Sequence, residues 1–449
     1  MIKETIILNE HFYFDTDTFV VSRNCFDFLQ VDIGNLKREI VSEKYSLPNY
    51  YTFCINLSDG CNFSCDYCFN QHKSNTMISG TTAIEFLEVM FKTFPNGDKY
   101  YIDLSGKGEP LLNIKTILEI ANWRNKKQDE IKAEILIQFV TNGYLLNSIT
   151  AKILQENNIL FGVSLDGNKE IHNLHRKNKN GEDTYDFIID NIRSINNRDY
   201  IGCAVTLTRN TFNLVNSIKE LSQIFHTISY RPVRGSNICF DIDSEKKWEK
   251  EYDNLFYFLK SEIYKGDDRF FKILMNGDDY FGRYLCRLFS NTRVITRCDS
   301  NINRFTINTA DKTIYGCPAL SVISEQGISM KSAEDLAKNR ENNIKNSTME
   351  CINCEYKLMC GGECALERKE NGLPNENMCS FKKHLINLSS LLFLTCFEDN
   401  QQLFDKLVFF SIQKNKRNQK NTDLLNFIDK NKLSFTEGKR IFDKINKMY

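Results

Sequence analysis

From Tyr51 onward the apolar positions switch repeatedly between two periods. Tyr51, Phe53, Ile55 and Leu57 alternate with smaller or polar neighbours, the period of a strand with one face buried. Thr82-Ala-Ile-Glu85 then reads as a capping box opening a helix, which Pro95-Asn96-Gly97 closes. Short apolar or β-branched runs recur at 100–104, 135–140, 160–165, 202–207 and 228–230. Stretches of helical period, such as 114–123 and 214–225, lie between them. Six strand–helix units in succession predict an α/β fold with a parallel sheet and crossover helices. Six suit a partial (β/α) barrel better than a closed eight-fold one, and in such barrels chemistry gathers at the C-terminal strand ends.

The flanks read differently. Residues 1–50 alternate short β-like runs (5–8, 12–14, 19–21) with polar turns. From Leu385, the residues Leu391, Leu392, Phe393, Leu394, Phe404, Leu407 and Phe409 predict an apolar helix, and the basic run 414–420 after it reads as a solvated linker. The expected division is a β-rich segment 1–50, the partial barrel 51–240, a helical linker 241–284, a cysteine-rich region 285–385 and a helical extension 386–449.

Lys+Arg and Asp+Glu both number 58 in 449 residues, so no net field argues for a nucleic acid or an anionic membrane as partner. No stretch has the apolar length of a membrane span, and the N-terminus lacks a cleavage-like small-residue site. A cytoplasmic chain is expected. There, 16 cysteines do not imply stable disulfides, and seven of them fall between Cys298 and Cys379. Clustered thiols in a reducing compartment point to metal.

Chemistry-bearing residues stand after each predicted strand. The first is followed by Asp59-Gly-Cys-Asn-Phe-Ser-Cys-Asp-Tyr-Cys68, in which Cys61, Cys65 and Cys68 form CxxxCxxC. Three such thiolates can hold three corners of a 4Fe–4S cube and leave one iron open, while a zinc site is the alternative on spacing alone. The second strand leads to Ser105-Gly-Lys-Gly-Glu-Pro110 and the third to Thr141-Asn-Gly143. The fourth leads to Ser164-Leu-Asp-Gly167 with His172 and Arg176 beyond, the fifth to Thr208-Arg-Asn210, and the sixth to Arg231 and Arg234. Each alone reads as a turn, a cap or a surface charge.

Together, residues 51–235 resemble the radical S-adenosylmethionine (SAM) core. The resemblance implies that Cys61, Cys65 and Cys68 ligate the SAM-binding 4Fe–4S cluster, whose open iron chelates SAM. Gly106, Gly108 and Glu109 resemble the Gly-Gly-Glu-Pro element that receives the SAM amine, although Lys107 stands where the first of two adjacent glycines is usual. Ser164 and Asp166 are similar to a ribose-contacting pair, Arg176 to the arginine facing the SAM carboxylate, and Asn142 to a further contact. A cationic amine, an anionic carboxylate and a diol are complemented by these residue types in turn.

Cys351-x2-Cys354-x5-Cys360-x3-Cys364, with Cys379 after it, is also zinc-ribbon spacing. Beside the first motif it resembles the SPASM domain, which carries two auxiliary 4Fe–4S clusters; Lys312 replaces a usual glycine before Cys317. The resemblance implies Cys351, Cys354, Cys360 and Cys379 for one cluster, and Cys298, Cys317 and Cys364 with Cys286 for the other. The distance from Cys286 to Cys298 is not diagnostic, and without Cys286 one iron is open to a substrate thiolate. Cys54 and Cys203 read as small core residues.

The resemblance implies a peptide maturase. SAM cleavage yields a 5′-deoxyadenosyl radical that removes a hydrogen from an unactivated carbon of a precursor peptide, chemistry that belongs to the cofactor. A thioether cross-link is the first expectation and a carbon–carbon or cyclophane link the second. Formylglycine formation in a sulfatase is a rival, and a non-catalytic zinc-binding protein a distant one. Flavodoxin or ferredoxin would donate the electron. The segment 1–50 would bind a leader peptide by strand addition or cover the barrel's bottom. Asp241 and Asp243 are candidate bases whose bland reading is a surface role.

Overall fold

The computed structural model describes residues 1–24, 49–71, 73–198, 201–211, 213–233, 242–277, 279–294, 296, 298–309, 311–323, 327–347, 351, 353–362, 364–366 and 376–414. Arg234, Asp241, Cys25, Cys239 and the run 415–420 lie outside the described residues. The chain opens with an antiparallel sheet, β1 (Ile2–Ile7), β2 (Glu10–Asp15) and β3 (Val21–Ser22). Leu8 and Asn9 turn its first hairpin with φ of 53° and 63°, the paired positive values of a tight hairpin turn.

The six expected strands are present: β4 (Tyr50–Ile55), β5 (Lys99–Asp103), β6 (Glu134–Thr141), β7 (Ile159–Ser164), β8 (Gly202–Leu207) and β9 (Thr227–Pro232). They pair in parallel and in chain order. Between them run α1 (Gly80–Thr93), α2 (Ile114–Glu130), α3 (Ser148–Glu156), α4 (Lys169–His175), α5 (Tyr185–Arg193) and α6 (Leu214–Leu221). On α1 the buried Ala83, Phe86, Leu87, Met90 and Phe91 make a continuous apolar stripe. Phe53 packs edge-on to Phe91 at 5.5 Å, and Phe91 lies 4.4 Å from Tyr100. Tyr51, Phe53 and Ile55 therefore face the helices, and alternation turns Thr52, Cys54 and Asn56 to the opposite face. The cap of α1 is Ser79, whose Oγ accepts from the Thr82 amide at 3.1 Å, so the helix starts earlier than the Thr82–Glu85 pair suggests.

Three further strands extend the same sheet. β10 (Arg304–Ile307) pairs in parallel with β4, and β11 (Thr313–Tyr315) and β12 (Ile328–Ser329) follow antiparallel. The cysteine-rich region thus shares the core's sheet across the division expected at 285. The linker is three helices, α7 (Ile242–Lys265), α8 (Arg269–Asn276) and α9 (Tyr280–Ser290); α10 (Glu334–Ser347) follows β12.

The expected C-terminal helix is two, α11 (Glu376–Asp399) and α12 (Gln401–Lys414). Asn400 separates them, its Oδ1 accepting from the Leu403 amide at 3.0 Å. Cys379 lies on α11, so the boundary drawn at 385 falls inside a helix. Leu385, Ile386, Leu388, Leu391, Leu392 and Leu394 are all buried on α11, because α7, α9 and the N-terminal sheet cover different sides of it. Among the described residues no helix is long and apolar enough to cross a membrane.

Candidate functional site

The cysteine loop leaves the C-terminal end of β4 and is pinned along its length. Residues 62–66 run beside the segment after α4: the Ser64 amide donates to Lys177 O at 2.9 Å, and the Lys179 amide to Asn62 O at 3.0 Å. Phe63 bridges Asn178, and His175 Nδ1 bonds Asp66, between Cys65 and Cys68, at 2.9 Å. Cys61, Cys65 and Cys68 are all half-buried. Cys61 Sγ accepts from the Phe63 amide at 3.4 Å and from Asn142 Nδ2 at 3.7 Å. Burial pushes the Cys65 thiol up to about 11, with Arg176 pulling the other way. Burial likewise disfavours the charge of Cys61, and two neighbouring thiols in that position fit a group that itself brings positive charge, as an iron–sulfur cluster does.

The next strand end explains its glycines by packing. A Cβ on Gly108 would stand 2.0 Å from the Gly60 carbonyl oxygen, and one on Gly106 2.4 Å from Asn56 Oδ1. Both glycines serve the close approach of this loop to the cysteine loop. Glu109, 2 % exposed, caps the turn Pro110–Asn113 and receives Thr141 Oγ1 at 2.6 Å and the amides of Asn142 at 2.8 Å and Leu111 at 3.1 Å. Burial pushes its carboxyl above the ordinary 4.5 despite these donors. A cationic ligand would relieve that cost. Lys107 Nζ, in the usual glycine's place, donates to Asn308 Oδ1 at 2.7 Å and lies 3.7 Å from Asp59 Oδ1.

At the ends of β7 and β8 a buried pair forms. Arg176 Nε donates to Asp166 Oδ2 at 2.8 Å and Nη2 to Oδ1 at 3.2 Å. Asp166 also receives the Tyr67 hydroxyl and, at 2.8 Å, the Thr206 amide. With no exposure and four donors, its acceptor positions are filled by protein. Arg176 Nη2 also reaches Thr206 Oγ1 at 3.3 Å, and its Nη1 makes no hydrogen bond among the described residues. That edge is the one left for an anion. Ser164 ends β7 half-buried, its hydroxyl likewise without a partner among the described residues.

His172 supports this pair from behind. Its Nδ1 accepts from the Asp166 amide at 3.3 Å, so Nε2–H donates to Thr184 Oγ1 at 3.0 Å, which donates to Arg176 O at 2.7 Å. Burial drops its pKa to about 3 and keeps the ring neutral. Arg231 is exposed, its Nε on Ser229 Oγ at 3.1 Å. Asp243 is exposed in the first turn of α7.

The second cysteine set lies around β10–β12 and the start of α11. Cys298 Sγ accepts from the backbone amides of Ser300 and Ala365, which draws Cys364 to Cys298. A Cβ on Gly316 would stand 2.0 Å from Ser300 Oγ, so Cys317 follows a backbone pressed on the same turn. Cys317 feels the charges of Cys298, Cys364 and Cys54, and burial pushes its thiol up to about 12. Lys312 has a φ of 53°, the left-handed conformation for which glycine is usual there, and Asp311 Oδ1 stabilises the turn from the Thr313 amide at 3.0 Å. Cys351 and Cys354 share a turn, the Cys354 amide donating to Cys351 O at 3.0 Å. Cys360 ends the helical turn Lys357–Cys360, which packs on α9 and on α11, the helix of Cys379. Among the described residues no three His, Cys, Asp or Glu side chains converge tightly enough for a single metal ion. Cys286 is buried within α9.

Residues 55–214 match the family described as the radical SAM superfamily. The chain is 29 % identical over 332 residues to a cysteine-type anaerobic sulfatase-maturating enzyme of Clostridium perfringens, spanning 68 % of this chain and 86 % of that one. A serine-type anaerobic sulfatase-maturating enzyme of Klebsiella pneumoniae is 19 % identical over 355 residues, 76 % of this chain and 87 % of that one. Among solved structures, native anSMEcpe with bound AdoMet aligns with a TM-score of 0.61 and 21 % identity over 78 % of this chain and 99 % of that one. Streptococcus suis SuiB bound to precursor peptide SuiA aligns with a TM-score of 0.50 and 14 % identity over 78 % and 79 %. These likenesses show a shared mixed α/β fold with a parallel sheet.

Proposed function

This enzyme carries a radical SAM domain and is homologous to the anaerobic sulfatase-maturating enzymes; from that premise we propose that it oxidises a peptide, with a thioether cross-link as the favoured product and a carbon–carbon link second. The observation that carries the reading is the convergence at one end of the parallel sheet of Cys61, Cys65, Cys68, Glu109, Asn142 and Arg176, with a second thiol set joined to the same sheet through β10. When bound, the cluster and SAM supply the means to break an unactivated C–H bond.

The protein's own part is placement. Cys61, Cys65 and Cys68 would hold the cluster, and the buried Glu109 carboxylate would meet the SAM amine. Arg176, aimed by Asp166, would meet the SAM carboxylate through Nη1, and the unbonded Ser164 hydroxyl would face the ribose. Asp166 would then act through Arg176 and Tyr67. Auxiliary clusters on the second thiol set would accept an electron or hold substrate sulfur, and a flavodoxin or ferredoxin would reduce the first. β1 pairs with β2 alone among the described residues, which leaves an edge to which a leader peptide could add.

A second reading, oxidation of a sulfatase cysteine or serine to formylglycine, is supported by the identity to sulfatase-maturating enzymes. Reduced enzyme with SAM, given a cysteine-bearing precursor peptide and, separately, a sulfatase peptide, separates the two. Loss of two hydrogens without a new carbonyl supports the cross-link; a new aldehyde supports formylglycine.

A further inference from the structure

The chain leaving Cys68 folds back along the entry to the cysteine loop. The buried Asn70 donates through Nδ2 to Asp59 O at 3.2 Å and to Lys107 O at 3.1 Å. Ser74 Oγ donates to Asp59 Oδ2 at 3.2 Å, the Asp59 amide donates to Thr76 O at 3.0 Å, and Met77 bridges Ser58. A Cβ on Gly60 would stand 3.0 Å from Ser74 O, so the two segments lie in close contact. Between these anchors the Lys73 Nζ donates to Phe63 O at 2.5 Å.

Phe63 is the residue whose amide donates to Cys61 Sγ at 3.4 Å. Those two bonds, with the span of one residue between them, hold the Lys73 ammonium within about 10 Å of the Cys61 sulfur. Burial is the largest influence against the Cys61 thiolate; the Phe63 amide and Lys73 oppose it, while Glu109 and Cys68 add to it. Three neighbouring cations are answered by carboxylates: Arg176 by Asp166, Lys107 by Asp59 and Lys177 by Asp183. Lys73 has no carboxylate within ion-pair distance among the described residues. It is half-buried, and such a charge is screened less than an exposed one.

Resting on the reading of Cys61, Cys65 and Cys68 as cluster ligands, we infer that Lys73 sets the reduction potential of that cluster, its charge favouring the reduced state. One electron arrives from the flavodoxin- or ferredoxin-type donor, no proton moves and no bond forms, so reduction adds one negative charge beside the three thiolates. A positive charge that no carboxylate cancels lowers the cost of that addition. Cluster potentials respond in this way to local net charge and to hydrogen bonds on the sulfurs, and Lys73 contributes the first while Phe63 and Asn142 contribute the second. Lys73 acts through the Cys61 side of the site and is a positioning residue, not a SAM contact.

The test is a redox titration of the full-length, anaerobically reconstituted protein, followed by electron paramagnetic resonance of the reduced signal that changes when SAM is added. K73M removes charge and donor, K73Q keeps a donor for Phe63 O without the charge, and K73R keeps both. K73M and K73Q are expected to be about tenfold less reduced at a fixed potential, a shift of about 59 mV to lower potential for one electron. K73R should titrate with wild type, and SAM affinity in equilibrium dialysis should be the same in all four proteins. If K73M loses iron by misfolding, K73Q and K73R still decide the question. K73Q titrating with wild type overturns the inference, whatever K73M does. So does a drop in K73R equal to that in K73Q, which would assign the effect to loop placement. A wild type with no reduced signal that responds to SAM would instead overturn the cluster reading on which the inference rests.

Discussion

Arg176 Nε and Asp166 Oδ2 stand 2.8 Å apart in a pair that is almost entirely buried. Burial works against the Asp166 charge, yet Arg176 outweighs it and holds the carboxyl below the ordinary 3.8. Its contribution is present above that pH and is lost as pH falls through the lower folded value. Breaking one partner of such a pair costs on the order of 3–5 kcal/mol. D166N is expected to lose about that much in urea denaturation and to weaken SAM binding in equilibrium dialysis. R176K keeps a charge but loses the fork that binds Nε and Nη2 to one carboxylate, so its SAM affinity should also fall. Unchanged SAM affinity in both variants would remove Arg176 from the proposed contact.

His172 gives a pH signature of its own. Burial depresses it from 6.5 to about 3, so between those values the unfolded chain binds a proton that the folded chain does not. Stability should be full above the upper value and fall with acid at up to about 1.4 kcal/mol per pH unit inside the window. H172N should flatten that slope. An identical slope in the variant would mean that other groups carry it.

Gly108 and Gly181 form a matched contrast. Alanine at Gly108 drives a methyl to 2.0 Å from the Gly60 carbonyl, inside the cysteine loop, whereas Gly181 has φ +80° and nothing within 4 Å of an added Cβ. G181A should cost about 1 kcal/mol of backbone strain and leave iron content alone. G108A should displace the loop and lower the iron bound at Cys61, Cys65 and Cys68. Equal iron in both variants would contradict the packing account.

Lys107 joins the cysteine loop, through Asp59, to Asn308 beside β10. Thr309 Oγ1 reinforces the junction by donating to Asp59 Oδ1 at 2.9 Å. K107M should cost on the order of 1–2 kcal/mol and speed amide exchange over residues 304–315. Exchange unchanged there would show that the junction does not depend on the ammonium.

The six strands of the parallel sheet were legible because their apolar positions alternate or run unbroken, and their observed bounds lie within two residues of those expected. The placement of Cys61, Glu109, Asn142 and Arg176 at one end of the sheet followed from chain order alone. What sequence could not give was pairing at a distance. Nothing local in Asp166 says that Tyr67, Arg176 and Thr206 fill its oxygens. Nor does the local run around Gly106 and Gly108 show that they press on Asn56 and on the backbone of Gly60, far off in sequence. The parallel pairing of β10 with β4 spans some 250 residues, beyond the reach of any local pattern. Asn400 did carry a local signal, an N-cap side chain between two apolar runs, and it marks the break that a single-helix expectation passed over.

The most direct test of the account is mass spectrometry of a cysteine-bearing precursor peptide after incubation with the anaerobically reduced enzyme and SAM. The expected product is lighter by two hydrogens, with its free thiol gone, fragments held together by a carbon–sulfur link, and no new carbonyl. A peptide left unmodified, or one whose cysteine has lost its sulfur to an aldehyde, would contradict it.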